Sequence, residues 1–155
     1  MGSLSISETL KAISDDKSLA LFNTVALASG NTDTLRTTLK LTRRQYYSRL
    51  SDLVKGGLIA RNSRKYFLTS FGKVVYEAQT IIGKGVEAYW KLKAIDSFET
   101  SFGSALLPAQ EHSRIIDTLM EGNNEIKEIL LKDMRNTKQD EDCKKQELII
   151  PTALA

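Results

Sequence analysis

Residues 41–69 read LTRRQYYSRLSDLVKGGLIARNSRKYFLT, and this stretch decides the fold. Its first half has the apolar spacing of an amphipathic helix, with Tyr46, Leu50, Leu53 and Val54 forming one buried stripe. Thr42 stands just ahead of that stripe, where its hydroxyl can accept a free backbone N–H of the first turn. Gly56-Gly57 supplies the stop, because glycine tolerates positive φ. Leu58-Ile59-Ala60 and Tyr66-Phe67-Leu68 are short apolar runs that can pair as a hairpin about an Asn62-Ser63 turn. Arg43, Arg44, Tyr47, Ser48 and Ser51 fall largely opposite the stripe, and that face is read as carrying no carboxylate. Arg61, Arg64 and Lys65 flank the hairpin turn. A cationic helix face beside a cationic hairpin tip suits a polyanion with a groove between two phosphate backbones.

Upstream, residues 33–40 (DTLRTTLK) place Leu35 and Leu39 four apart, as a short helix would, and join the next helix through Leu41 and Thr42. Two helices joined by so short a turn, the second longer and basic, make a helix-turn-helix arrangement. Residues 16–29 carry Leu19, Phe22, Val25, Ala26 and Leu27 on a helical period, with Asp15 or Asp16 as cap and Gly30 as stop. The expected order is helix, helix, helix, hairpin. Arg49 lies at the edge of the buried stripe and is expected to pair with Asp52 or Asp33 rather than to read bases.

This order, and the run LTRRQYYSRLSDLVKGGLI…KYFLTSFGKVVYEA, resembles the winged-helix transcriptional regulators common in archaea, especially a group from ammonia-oxidising and methanogenic archaea. The resemblance covers roughly residues 14–78. It implies a winged helix-turn-helix, and with this chain's own residue patterns the expected fold is mainly α (α+β): a winged helix-turn-helix with a short two-stranded wing, then a long helix and additional C-terminal helices. It implies double-stranded DNA as the partner, and a homodimer is expected from the length of the helix that follows the wing. Arg43, Arg44, Tyr47 and Ser48 then fall on the recognition helix, about 42–55, and Arg61, Arg64 and Lys65 on the wing. The departure from the family pattern is the wing's length, since only a few residues separate its strands.

The charge distribution points the same way. Residues 14–78 hold eleven Lys/Arg against five Asp/Glu, a net +6, whereas residues 100–155 hold seven against ten, a net −3. Positive charge concentrated in one region of a chain with net charge +3 argues against general stickiness for polyanions. No run of 18 apolar residues marks a membrane span, and the N-terminus shows no charged-then-apolar signal pattern, so the cytoplasm is the simplest expectation. The single cysteine, Cys143, leaves no intramolecular disulfide and no cysteine set for zinc. Its neighbours Asp140, Glu141 and Asp142 disfavour a thiolate.

Beyond the hairpin the chain reads as helices. Thr69 or Ser70 can cap one long helix over about 71–95, with Val75, Ala78, Ile82, Val86 and Tyr89 as its stripe, broadened by Val74, Ile81 and Trp90. At 1.5 Å per residue this spans roughly 37 Å, longer than a small domain can cover. Val75, Ile82, Val86, Tyr89 and Trp90 are therefore the candidate dimerisation residues. Gly83 and Gly85 mark either a kink or a close helix crossing. Residues 96–107 read as a loop carrying Phe98 and Phe102. Pro108 opens a helix to about Met120 with Ile115, Ile116 and Leu119 inward. Residues 125–134 form a further helix on Ile126, Ile129 and Leu130. The domains expected are 14–71 for DNA binding, 72–134 for dimerisation, and 135–155 as a flexible tail.

No constellation of catalytic side chains stands out. Gly83-Lys84-Gly85 lacks the strand and spacing of a phosphate loop. His112, beside Glu111, reads as a surface residue, and no serine or cysteine has a neighbouring base. Neither cofactor nor metal is expected. Two readings compete with DNA binding. One is a winged helix used only for protein–protein contact, its function carried by the long helix. The other is a ligand-sensing regulator with a pocket lined by Tyr89, Trp90, Phe98 and Phe102. An enzyme is the reading these residues support least.

Overall fold

The computed structural model of the protein describes residues 4–28, 33–102 and 108–132. Its elements are α1 (Ile6–Ala12), α2 (Asp16–Ala28), α3 (Asp33–Thr38), α4 (Arg43–Lys55), β1 (Ile59–Asn62), β2 (Lys65–Leu68), α5 (Ser70–Glu87), α6 (Tyr89–Phe102), α7 (Ala109–Leu119) and a helix α8 over residues 124–132. The described chain is mostly helical with one small antiparallel sheet, an α+β composition. It divides into two units, the first ending at Thr80 and the second beginning at Ile81, so the division falls within α5. No helix among the described residues is long and apolar enough to cross a membrane. Gly30, Cys143 and the tail from 135 onward lie outside the described residues.

The first unit is built on the stripe of α4. Tyr46, Leu50 and Leu53 are buried together with Leu21, Phe22 and Val25 of α2, Leu41, Leu58 and Ile59. Val54, expected in that stripe, is instead exposed at the stripe's margin. Thr42 caps α4 in a reciprocal capping box: its Oγ1 accepts from the Gln45 N–H, and the Gln45 side chain accepts from the Thr42 N–H. Gly56 is the C-cap and Gly57 follows at φ 69°, which turns the chain into β1.

α1 lies ahead of the elements expected from the sequence. Ser5 and Glu8 form its own capping box, and its C-terminal neighbour Ile13 enters the core while Thr9 is buried. α1 packs against α4, so the first unit includes residues ahead of the expected boundary at 14. The hairpin pairs Ile59 with Leu68, Ala60 with Phe67, Arg61 with Tyr66 and Asn62 with Lys65. Its turn is therefore Ser63-Arg64 rather than Asn62-Ser63, and both turn residues have positive φ, 47° and 69°. That combination matches the right-handed strand twist in a two-residue hairpin loop.

Thr69 caps α5, as expected for one of its two candidates. Its Oγ1 accepts from the Gly72 N–H at 2.8 Å and donates to the Gly57 carbonyl at 2.5 Å, which ties the helix start to the end of α4. Val75 and Tyr76 pack against the core, with the Tyr76 ring edge-on to Phe22 at 6.3 Å.

The expected single helix over 71–95 is two helices, and the expected loop over 96–107 is helical to Phe102. The break is at Ala88, not at Gly83 or Gly85. The Ala88 carbonyl accepts from both Lys91 (2.9 Å) and Leu92 (3.0 Å), a local tightening, while its methyl is buried. Ala88 belongs to the core of the second unit with Ile95, Ile116, Met120 and Ile126. Ile129, expected inward on α8, is exposed, and Leu131 packs against this core alongside Leu130. Pro108 is the N-cap of α7, and Gly122 turns the chain at φ 87°. Lys84 pairs with Glu125 at 2.7 Å, and its ammonium holds the Glu125 carboxyl below the ordinary value. Lys127 pairs with Asp117. His112 is less exposed than the sequence implied, with Nε2 2.9 Å from Glu99 Oε1 between α6 and α7.

Candidate nucleic-acid interface

Burial of Tyr46, Leu50 and Leu53 fixes which side of α4 meets solvent. Arg43, Arg44, Tyr47, Ser48 and Ser51 are all exposed. Tyr47 keeps 51% of its surface accessible and is held edge-on against buried Tyr46, with ring centroids 5.2 Å apart. Its half-exposed phenol is thus held beside a buried ring of the same helix. Neither Arg43 nor Arg44 has an acidic partner among the described residues. Asp52 is exposed on the same helix, so the solvent side carries one carboxylate, against the expectation of none.

The seat of α4 is reinforced by an ion pair. Arg49 Nε lies 3.0 Å from Asp15 Oδ2. Asp15 is also the cap of α2, since Oδ2 accepts from the Ser18 N–H at 3.0 Å and from the Ser18 hydroxyl at 2.7 Å. The Arg49 guanidinium first, and the Ser18 hydroxyl second, hold the Asp15 carboxyl well below the usual carboxylate range. The expected partners of Arg49, Asp52 and Asp33, are replaced by a residue 34 positions away. Arg49 is thereby occupied in the scaffold, which leaves Arg43 and Arg44 as the arginines of the helix face, with Lys55 exposed in its last turn.

The three hairpin cations are split by register. Arg61 shares a face with buried Ile59, and its guanidinium carbon lies 6.0 Å from the centroid of its cross-strand partner Tyr66. Lys65 pairs with Asn62 on the opposite face, beside Ala60 and exposed Phe67. Arg64 stands in the turn itself. All three are exposed and lack acidic partners among the described residues, but they do not share one strand face.

Of the candidate dimerisation residues, Val75 packs against the first core, whereas Ile82 (60%), Val86 (70%), Tyr89 and Trp90 (74%) are exposed. Tyr89 and Trp90 sit edge-on to each other at 5.4 Å, with Lys93 Nζ 5.4 Å from the Trp90 ring centroid. Both aromatics are exposed to solvent. Among the described residues no three His, Cys, Asp or Glu side chains are grouped as a metal site requires. No family model, curated protein or solved structure matches the chain.

Proposed function

We propose that this chain is a sequence-specific DNA-binding transcriptional regulator of winged helix-turn-helix type. In this reading α3 and α4 form the helix-turn-helix, α4 enters the major groove, and β1–β2 is the wing. The observation that carries it is the exposed face of α4. Arg43, Arg44, Tyr47 and Ser48 stand together on a helix seated by three buried residues and by the Arg49–Asp15 pair. Neither Arg43 nor Arg44 is neutralised by an acidic neighbour among the described residues. Arginine reads guanine edges bidentately, and a phenol contacts a phosphate or a thymine methyl. Arg61, Arg64 and Lys65 supply flanking phosphate contacts. The two-residue turn makes the wing too short to reach far into a minor groove.

The chain acts as a homodimer in this reading, with Ile82, Val86, Tyr89 and Trp90 as its apolar contact, and the dimer sets the spacing of two half-sites. The compartment this reading implies is the cytoplasm. The same exposed run supports a second reading, in which it docks another protein and α4 never meets DNA.

Selection from a randomised duplex pool separates the two. Enrichment of one motif, repeated with a fixed spacing, supports the regulator. A pool that stays random through several rounds at low salt favours the protein-interaction module.

A further inference from the structure

The end of α3 carries a residue that its local geometry does not favour. The Leu41 N–H donates to the Arg36 carbonyl at 3.0 Å, and the Lys40 N–H donates to the Thr37 carbonyl at 3.2 Å. This 6→1 and 5→2 pair is a Schellman motif, whose C′ position takes a left-handed conformation and is usually glycine. Here that position is Lys40, at φ 50°. A Cβ in this region meets its own backbone, so glycine or asparagine would relieve the turn. The next residue, Leu41, is buried and anchors the motif, and Thr42 then caps α4. Nothing in the packing calls for a lysine: Lys40 is exposed and has no acidic partner among the described residues.

Strained non-glycine residues concentrate at functional sites, and the useful inference runs from an observed outlier to a role. Among the described residues only three non-glycine positions have positive φ: Lys40, Ser63 and Arg64. Two of the three are exposed cations, one at the turn leading into α4 and one at the hairpin tip. Lys40 precedes Arg43 by three residues, so their Cα atoms are no more than about 11 Å apart. An ammonium on a four-carbon stem at that place can meet a backbone phosphate at the edge of the groove that takes the N-terminal turn of α4.

We infer that Lys40 is a phosphate-backbone contact which fixes the entry of α4 into DNA, retained at a glycine-type position for its charge. This rests on the DNA-binding reading above. It is tested by Lys40→Gly in the full chain, compared with the native chain and with Lys11→Ala as an exposed-lysine control on α1. The readouts are the thermal midpoint and the salt dependence of binding to a fluorescent duplex.

Lys40→Gly is expected to keep or raise the midpoint, because it relieves the left-handed turn. It is also expected to weaken binding roughly eightfold at 0.1 M salt and to make the log–log salt slope shallower by about 0.9, the counterion release of one phosphate contact. Lys11→Ala is expected to change neither. An unaltered slope in Lys40→Gly, with the native chain still binding, overturns the role of Lys40 and leaves the α4 reading standing. A lowered midpoint makes the lysine structural and overturns it too. A native chain that ignores duplex DNA removes the underlying reading, and Lys40 with it.

Discussion

The carbonyl oxygen of Leu58 lies 1.9 Å from the position a Cβ on Gly72 would occupy. Gly72 is in the first turn of α5, buried, and donates its N–H to Thr69 Oγ1, while the Thr69 N–H donates to that same Leu58 carbonyl at 3.1 Å. The start of α5 is thus pressed directly onto the backbone between α4 and β1. Any side chain at 72 must displace main chain rather than a flexible side-chain end.

Gly72→Ala is therefore expected to destabilise the first unit by about 1–3 kcal/mol or more, the range for overpacking a filled site. Gly83→Ala is the opposite case. Gly83 sits inside α5 with nothing within 4 Å of its notional Cβ, and in dilute solution alanine there is expected to stabilise the helix by roughly 0.5–1 kcal/mol. Thermal or urea melts of the two variants check both signs. A neutral Gly72→Ala would contradict the packing of α5 on Leu58.

The Asp15–Arg49 pair gives a pH signature. The folded-state carboxyl of Asp15 titrates below its unfolded value, so the pair's contribution is present above the unfolded pKa of about 3.9 and is lost as pH falls from there towards the folded value. The native chain is expected to melt above Asp15→Asn at pH 6, with the gap closing below about pH 4. A gap that stays constant from pH 6 to pH 3 would show that the carboxylate's charge is not what matters.

The exposed run Ile82, Val86, Tyr89 and Trp90 sets an expectation for assembly. Sedimentation of the native chain at micromolar concentration is expected to give a dimer, and Val86→Glu a monomer with an unchanged helical circular-dichroism spectrum. A native monomer at that concentration would withdraw this surface from the proposed dimer.

Much of the first unit was legible because its signals are local. The stripe of Tyr46, Leu50 and Leu53, the Thr42 cap and the Gly56-Gly57 stop are all written within 16 residues. The exposure of Arg43, Arg44, Tyr47 and Ser48 follows from that stripe alone. α1 was not legible, because the seven residues that follow its Ser5–Glu8 capping box carry too short a period to stand out. The partner of Arg49 was not legible, since Asp15 reaches it only through the packing of α2 on α4. Nor was the break at Ala88, where neither glycine nor proline interrupts the sequence and tertiary burial of the methyl accompanies the tightening. The conspicuous glycines at 83 and 85 pointed elsewhere. Lys40 was invisible for the complementary reason, that a lysine does not announce a left-handed turn.

The most direct test of the account is fluorescence anisotropy of a labelled duplex titrated with the native chain and with Arg43→Ala/Arg44→Ala, across a salt series. Native binding is expected to weaken steeply with salt. The double variant is expected to bind more weakly, with a slope shallower by up to about 1.8 where both guanidiniums meet phosphates. Binding that is indifferent to both arginines, or absent at low salt, would contradict the placement of α4 in a DNA groove and turn attention to a protein partner for the exposed run of α5 and α6.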